Sequence, residues 1–235
     1  MVEKFSNTEI LNLKHLAAER AVDFVNSGMS VGLGSGSTAR IVIETIGKRI
    51  ITGRLSDIIG IPTSKESERE ALRNGITVSD LIDNPKIDLT IDGADEVDLD
   101  LNLIKGGGGA LFREKIIADS SKDIIIVIDE TKISHSLGKL CPVPVEVYPL
   151  AIRSVADYVR ELGAMVSLRE DKNGDVFKTE QGNNILDCRF GQIENPHELA
   201  QKLSIKPGVI EHGLFLNMAG IIIVGGKEGI RHLKR

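Results

Sequence analysis

The chain has 235 residues, of which 41% are hydrophobic and 27% charged, so it can bury an aliphatic core and is not a disordered protein. Its length fits one large domain, or one domain that carries a smaller insertion. The net charge of −5 argues against a nucleic-acid-binding protein, and no apolar stretch reaches the roughly 18 residues that a membrane span requires. The N-terminal sequence MVEKFSNTEI lacks the apolar core of a signal peptide, and Cys141 and Cys188 form no CxxC pair. We therefore expect a cytoplasmic protein with reduced thiols and no nucleic-acid or membrane partner.

Helices and strands alternate along the first half of the chain. Ser6 and Glu9 have the spacing of a capping box, and apolar residues then recur with helical period as far as Phe24. Strands are predicted at 30–33, 57–61, 87–91 and 124–128, and further helices at 39–50, 65–74 and 110–119. The run 124–128 is continuously apolar, which is typical of a parallel strand covered on both faces. The alternation predicts an α/β fold with a doubly wound, mostly parallel, Rossmann-like sheet.

The pattern changes near Pro142. The elements predicted beyond it are a helix at 151–162, strands at 164–169 and 176–179 that flank an Asn-Gly hairpin turn at 173–174, a strand at 185–189, and a helix that opens at Asn195-Pro196. This order of elements is α+β in character. We therefore expect a smaller α+β domain at 143–208, inserted into an α/β catalytic domain formed by 1–142 and 209–235. The apolar strand 220–224 is expected to rejoin the first sheet.

A loop of glycine and hydroxyl residues, 34–38, lies between a predicted strand and a predicted helix. Glycines let the backbone approach an anion closely, and a helix N-terminus supplies free N–H groups and positive potential. The loop lacks the Gly-Lys-Ser/Thr ending of a P-loop, and its glycines do not have the spacing of a dinucleotide-binding fingerprint. The loop favours binding of an anion such as a phosphate group; the alternative is a tight turn with a Ser or Thr cap.

An acidic segment begins at the carboxyl end of the strand 87–91, where open α/β sheets place ligand-binding groups. Asp92 and Asp95 lie three positions apart in this segment and can converge on one ligand. Asp98 and Asp100 begin like a calcium-binding EF-hand loop, but the later Gly and Glu that such a loop requires are missing. We therefore predict no metal site here, and we interpret Asp98 and Asp100 as part of a solvated acidic turn.

Lys105 is followed by four glycines, 106–109, and then by the predicted helix 110–119. Such a run is costly in backbone entropy, so it indicates close approach of the backbone to a ligand, or a hinge. Glu114 falls in the middle of the apolar arc of the helix, and a Glu that faces the core without a function is unusual. Burial raises the pKa of a carboxyl group, whereas a nearby Lys opposes that shift. These features favour a general base over a Glu that only accepts backbone hydrogen bonds.

The three motifs, in this order and with this spacing, resemble those of ribose-5-phosphate isomerase type A. DGADE at 92–96 combined with KGGGGALFREK at 105–115 is specific to that family. The resemblance covers nearly the whole chain and continues through the segments 129–132, 137–138, 142–147 and 207–209. One departure is Ser35, where many members have Thr. The hydroxyl group is retained, so the expected phosphate contact is retained as well.

The resemblance implies an isomerase that interconverts D-ribose 5-phosphate and D-ribulose 5-phosphate through a cis-enediolate, in the pentose phosphate pathway. Glu114 would be the general base that moves a proton between C2 and C1, Asp92 would assist ring opening, and Lys105 would stabilise the oxyanion. Asp95 would complete the catalytic set. Substrate contacts are expected from Ser35, Gly36, Ser37, Thr38, Gly93, Ala94, Gly106, Gly107, Gly108 and Lys132. The family uses no metal and no cofactor and works as a homodimer or homotetramer.

Three other functions remain open at this point. A non-catalytic sugar-phosphate sensor domain could keep the phosphate loop, but no helix-turn-helix or basic arm is predicted, and the four catalytic candidates together favour an enzyme. A nucleotide-dependent dehydrogenase would need a different glycine spacing and an acid after the second strand. An acyl- or CoA-transferase with a nucleophilic Glu is the third alternative.

Overall fold

The computed structural model describes residues 6–234. Within them the α-helices are α1 (Asn7–Val22), α2 (Gly36–Ile51), α3 (Lys65–Arg73), α4 (Leu111–Asp119), α5 (Ile152–Glu161) and α6 (Pro196–Ser204). The strands are β1 (Ser30–Leu33), β2 (Ile59–Pro62), β3 (Thr77–Val78), β4 (Ile87–Asp92), β5 (Glu96–Val97), β6 (Leu103–Ile104), β7 (Ser121–Asp129), β8 (Val143–Val147), β9 (Met165–Leu168), β10 (Asn184–Arg189), β11 (Val209–His212), β12 (Leu214–Phe215), β13 (Ile221–Gly226) and β14 (Gly229–Lys234).

The chain forms two compact units. The first unit comprises the residues up to Gly93, Ile116–Thr131, and the residues from Met218 onward. The second unit comprises Ala94–Lys115 and Lys132–Asn217. The predicted limits of the inserted domain, 143–208, stay a prediction; β5, β6 and β12 lie outside those limits and belong to the second unit.

The first unit is built on a seven-stranded sheet in the order β14-β13-β7-β4-β1-β2-β3. All neighbours run parallel except β14, which pairs antiparallel with β13. Ile125 and Val127, which lie on the same face of β7, are buried in one core with Ala17 of α1 and Ile46 of α2. The predicted mostly parallel sheet is confirmed, and so is the return of the chain to this sheet as β13.

The starts of the first two helices follow from local hydrogen bonding. At α1, Ser6 Oγ accepts from the Glu9 N–H at 3.2 Å and Glu9 Oε2 accepts from the Ser6 N–H at 2.7 Å, which is the predicted capping box. Helix α2 begins at Gly36, three residues earlier than predicted, with Ser35 as its N-cap residue. The N–H groups of its first turn therefore belong to the predicted anion-binding loop.

The second unit contains a four-stranded antiparallel sheet, β11-β8-β10-β9, and a three-stranded antiparallel sheet, β12-β6-β5. Val155 and Val159 of α5 and Leu203 of α6 are buried in one core with Val145 and Leu186 of the larger sheet. Helices packed on an antiparallel sheet confirm the α+β character predicted for this part of the chain.

The predicted hairpin around the Asn-Gly turn at 173–174 is wrong in its second strand. Residues 176–179 form no regular strand, but Glu170 and Val176 pair in an isolated antiparallel bridge across the turn, while β9 pairs with β10. Just after β9, the Arg169 N–H donates to Ile185 O on β10 at 2.9 Å, while Arg169 O accepts from the Phe177 N–H at 2.9 Å. The turn therefore lies where the Asn-Gly signal predicts it, whereas the second strand is reduced to this single bridge.

Two further predictions concern a membrane span and a signal peptide. No helix among residues 6–234 is long and apolar enough to cross a membrane. The prediction about a signal peptide falls partly on residues 1–5, which lie outside the described residues.

A partly buried polar cluster joins α4 to β11 in the second unit. Lys115 Nζ donates to Glu211 Oε1 at 2.7 Å and to His212 O at 2.6 Å. His212 Nε2 lies 3.1 Å from Ser204 Oγ on α6, and the His212 side chain is buried. Burial, reinforced by the neighbouring Lys115 ammonium, lowers the pKa of His212 to about 4. His212 is therefore neutral in the folded protein at neutral pH.

We expect acid to destabilise the fold partly through His212. An imidazole in the unfolded chain has a pKa of about 6.5, whereas the pKa of His212 in the folded chain is about 4. Between these values the unfolded state binds more protons, so the free energy of unfolding falls as the pH is lowered through this range, and His212 has no effect above it. In urea unfolding, the free energy of unfolding of His212→Gln should depend less steeply on pH than that of the wild type between the two pKa values. His197→Gln, at an exposed position of α6, is the control; an equal slope in wild type and His212→Gln contradicts the expectation.

Candidate functional site

The strand order of the first unit brings two of the predicted motifs to one place. Strand β1 lies between β2 and β4, so the order of the parallel strands reverses between β1 and β4. Ligands of open α/β sheets bind outside the carboxyl ends of the strands at such a reversal. The loop at 34–38 follows β1, and the acidic segment follows Asp92 at the end of β4. Within the first unit, the loop at 34–38 and the Asp92–Gly93 end of the acidic segment therefore lie at this reversal.

Asp92 holds the loop after β1 in place. Its side chain is buried, and Oδ1 accepts from the Ser35 N–H at 3.1 Å and from the Gly93 N–H at 2.7 Å. A Cβ atom on Gly34 would lie 2.1 Å from Asp92 Oδ1, so only glycine allows this approach. The carboxylate therefore fixes the backbone at the start of α2.

The hydroxyl groups of the loop have different surroundings. Ser35 Oγ lies 2.7 Å from Thr63 Oγ1 and 2.8 Å from Ser64 Oγ, so it is anchored to the loop after β2. Ser37 is exposed, and its Oγ accepts from Lys14 Nζ at 3.1 Å. Lys14 adds a positive charge next to the N-terminus of α2, where an anion is favoured. Lys14 is half-buried on the face of α1 that also carries the buried Ala17 and Ala21. Its place within this apolar face is a signal of the same kind as that of Glu114, although Lys14 is not among the residues predicted above.

The acidic segment contains residues that serve the fold. Glu96 is fully buried and accepts from the backbone N–H groups of residues 138–141. Asp98 is also buried, and its Oδ1 accepts from the N–H groups of Asp100 and Asn102. The interpretation of Asp98 as a solvated residue is therefore wrong, since the carboxylate closes a tight turn; Asp100 is exposed as expected.

Asp95 faces the glycine run in the second unit. Its Oδ2 accepts from the Gly107 N–H at 2.7 Å, and its own N–H donates to Ile104 O at 2.9 Å. A Cβ atom on Gly107 would lie 2.8 Å from Asp95 Oδ1. Gly106 and Gly109 have φ values of +99° and +85°, a region that side chains disfavour. The glycine run is therefore a shaped loop that requires glycine at several positions.

Lys105 and Glu114, which flank the glycine run in sequence, form a buried ion pair. Lys105 Nζ lies 3.2 Å from Glu114 Oε2, and the two side chains are 5% and 6% exposed. The Lys105 N–H donates to Gly213 O at 2.9 Å, and the Glu114 N–H donates to Ala110 O at 2.9 Å. Lys105 Nζ also lies 5.4 Å from the ring centre of Phe215. The predicted orientation of Glu114 towards the core is confirmed.

The sequence-predicted site residues thus lie in two groups. In the first unit these are Ser35, Gly36, Ser37, Thr38, Asp92 and Gly93, and in the second unit Asp95, Lys105, Gly106, Gly107, Gly108 and Glu114. Ala94 is the first residue of the second unit, and Lys132 is half-buried at the end of a 3-10 turn. In the part of the chain that the structure describes, no three His, Cys, Asp or Glu side chains are grouped to hold a metal ion.

The sequence of this chain is similar to those of proteins named ribose-5-phosphate isomerase A. Residues 59–229 match the family described as Ribose 5-phosphate isomerase A (phosphoriboisomerase A). The ribose-5-phosphate isomerase A of Desulfatibacillum aliphaticivorans is 50% identical over 222 residues, which cover 94% of this chain and 96% of that protein. That of Gluconobacter oxydans (strain 621H) is 48% identical over 229 residues, which cover 97% and 98%.

Solved structures agree with the sequence comparison. A D-ribose-5-phosphate isomerase in complex with phospho-erythronic acid has a TM-score of 0.94 and 39% identity, covering 96% of this chain and 99% of that chain. The ribose 5-phosphate isomerase A of Methanocaldococcus jannaschii has a TM-score of 0.91 and 38% identity, covering 98% and 100%. From the family match, the identity over nearly the full length and the shared fold, the chain belongs to the ribose-5-phosphate isomerase A family.

Proposed function

We propose that this chain interconverts D-ribose 5-phosphate and D-ribulose 5-phosphate in the pentose phosphate pathway, with Glu114 as the general base. The observation that carries the proposal is the buried Lys105–Glu114 pair beside the glycine run, in a chain of this isomerase family. In the open-chain aldose, the base removes the proton from C2, which gives a cis-enediolate. A proton passes from O2 to O1 of this intermediate, and the same base then delivers a proton to C1, which gives the ketose.

The surroundings of Glu114 suit a base. The carboxylate is almost completely removed from water, and the Lys105 ammonium at 3.2 Å balances its charge inside the protein. Glu114 lies in the first turn of α4, and its N–H donates to Ala110 O at 2.9 Å, so the helix sets the direction of the side chain. A positioned base typically contributes about 10²–10⁴-fold to a rate. Other groups must therefore stabilise the negative oxygen of the enediolate.

Lys105 and the glycine backbone are the groups that we assign to this oxygen. An ammonium group and backbone N–H groups that are fixed before the reaction stabilise a developing oxyanion at no cost in reorganisation. Lys105 is held by the backbone and by Glu114, and Gly106, Gly107 and Gly108 are held by the shape of the loop. Asp95, which accepts from the Gly107 N–H, belongs to this part of the site.

We assign the phosphate group of the substrate to the loop 34–38. The N–H groups at the start of α2, the Ser37 hydroxyl and the Lys14 ammonium supply donors and positive charge there. Asp92, next to this loop, is the proposed acid–base group of ring opening. Further substrate contacts are proposed for the backbone at 93–94 and for Lys132.

The alternatives named above fit less well. A sugar-phosphate sensor needs no buried pair such as Lys105–Glu114, and the relatives with full-length similarity bear the name of an enzyme. As part of the proposal, the protein is a cytoplasmic homodimer or homotetramer that uses neither a metal nor a cofactor. The resemblance of the motifs to the family supports these features.

The first test measures conversion of ribose 5-phosphate in the presence of EDTA. The wild type should form ribulose 5-phosphate, and Glu114→Gln should lower kcat by about 10²-fold or more, because the amide cannot accept the C2 proton. Glu161→Gln, at an exposed position of α5, is the matched control and should retain full activity.

Three results would go against the proposal. A kcat of Glu114→Gln close to that of the wild type would refute the base assignment. Binding of the sugar phosphate without turnover by the folded wild type would favour the sensor. Loss of activity in EDTA that an added metal restores would refute the metal-free reaction.

Lys105→Met tests the oxyanion assignment. The variant keeps the length of the side chain without its charge, so kcat/KM should fall by about 10²–10³-fold. Loss of one partner of a buried pair should also lower the free energy of unfolding, by about 3–5 kcal/mol. Activity is therefore compared per folded molecule, below the unfolding transition, with Lys172→Met at an exposed position as the control. A kcat/KM of Lys105→Met within a few-fold of the wild type would exclude the role.

A further inference from the structure

We propose that Arg169, held by Asp187, is a positioning residue for isomerisation that orients the peptide groups of the glycine run. The inference rests on the proposed function, because it assigns the part of the chain that aims the oxyanion donors. Both residues lie outside the three sequence motifs. Asp187 is in β10, and Arg169 directly follows β9. The larger sheet of the second unit therefore positions both residues.

The guanidinium of Arg169 is bound on two sides. Its Nε donates to Asp187 Oδ2 at 2.9 Å and its Nη2 donates to Asp187 Oδ1, which is the bidentate arrangement that fixes the plane of the group. Its Nη1 donates to Gly106 O at 2.9 Å and to Gly107 O at 3.0 Å. The Arg169 and Asp187 side chains are 12% and 20% exposed. One nitrogen thus holds two consecutive carbonyl groups of the glycine run.

These two bonds determine where the neighbouring N–H groups point. A trans peptide group is planar, and its C=O and N–H bonds point in opposite directions. Since the carbonyl groups of Gly106 and Gly107 both point to Arg169, the N–H groups of Gly107 and Gly108 both point away from it. The Gly107 N–H does so, because it donates to Asp95 Oδ2 at 2.7 Å. The Gly108 N–H is turned to the same side and makes no hydrogen bond within residues 6–234.

A second contact keeps the arginine and the loop together. The Arg169 guanidinium lies 5.9 Å from the ring centre of Phe177, and a Cβ atom on Gly109 would lie 2.5 Å from a carbon of the same ring. The aromatic ring therefore packs on the arginine and on the end of the glycine run. A lysine could not reproduce this arrangement, because its single ammonium cannot bind Asp187 in bidentate fashion and hold both carbonyl groups in one plane.

The test compares Arg169→Lys with the wild type and with Arg160→Lys, an exposed arginine of α5. Three quantities are measured: kcat/KM for ribose 5-phosphate, the inhibition constant of phospho-erythronic acid, whose carboxylate stands for the charged oxygen of the enediolate, and the inhibition constant of inorganic phosphate. We expect Arg169→Lys to lower kcat/KM by about 10–100-fold, since small displacements of catalytic groups have effects of this size. The inhibition constant of the acid should rise in parallel, and that of inorganic phosphate should stay the same.

The inhibition constants do not depend on the fraction of active protein, so they separate positioning from a loss of folded molecules. If Arg169→Lys folds poorly, Asp187→Asn gives the same comparison, because it releases the guanidinium without removing it. Unchanged kcat/KM and acid inhibition in either folded variant would overturn the inference, as would equal weakening of both inhibitors. A wild type that does not convert ribose 5-phosphate would instead refute the proposed function.

Discussion

A carboxylate and an ammonium group that are both taken out of water persist only side by side, because each ion loses several kcal/mol of hydration. The Lys105–Glu114 pair, 3.2 Å apart and nearly inaccessible, imposes this constraint on the second unit. Lys105 must follow β6, Glu114 must lie in the first turn of α4, and the glycine run must connect them along one path. The positive φ angles of Gly106 and Gly109 show what that path demands of the backbone.

The same constraint suits the proton transfer that we propose for this pair. A base that is shielded from water and a cation that is already in place need little rearrangement when charge moves from a carbon acid to an oxygen. An aromatic ring lies next to both ammonium groups: the centre of the Phe215 ring is 5.4 Å from Lys105 Nζ and 4.8 Å from Lys115 Nζ. Lys115 is in turn bound to Glu211, so charge is balanced around the ring as well. The buried Lys105–Glu114 pair thus both fixes the interior of the second unit and supplies the groups that we propose for proton transfer.

The sequence predicted the parts of the fold and site that depend on local patterns. Helical periodicity showed that Glu114 faces the core, and the alternation of elements predicted the parallel sheet. Contacts between distant segments left no such pattern: Arg169 is 63 residues from Gly106, and Lys14 is 23 residues from Ser37. Local signals were incomplete where a distant segment took part: the 173–174 turn forms as predicted, but β9 pairs with β10 and residues 176–179 form no regular strand.

We propose that a protein carboxylate moves the hydrogen between C2 and C1 as a proton, and that no hydride shift takes place. The most direct measurement is an NMR assay of ribose 5-phosphate in D₂O with EDTA and either the wild-type protein or Glu114→Gln. A base that exchanges its proton with solvent should place deuterium at C1 of the ribulose 5-phosphate that forms. Product that forms at the full rate with hydrogen alone at C1, in the wild type and in Glu114→Gln alike, would show transfer that does not pass through this carboxylate and would contradict the proposed mechanism.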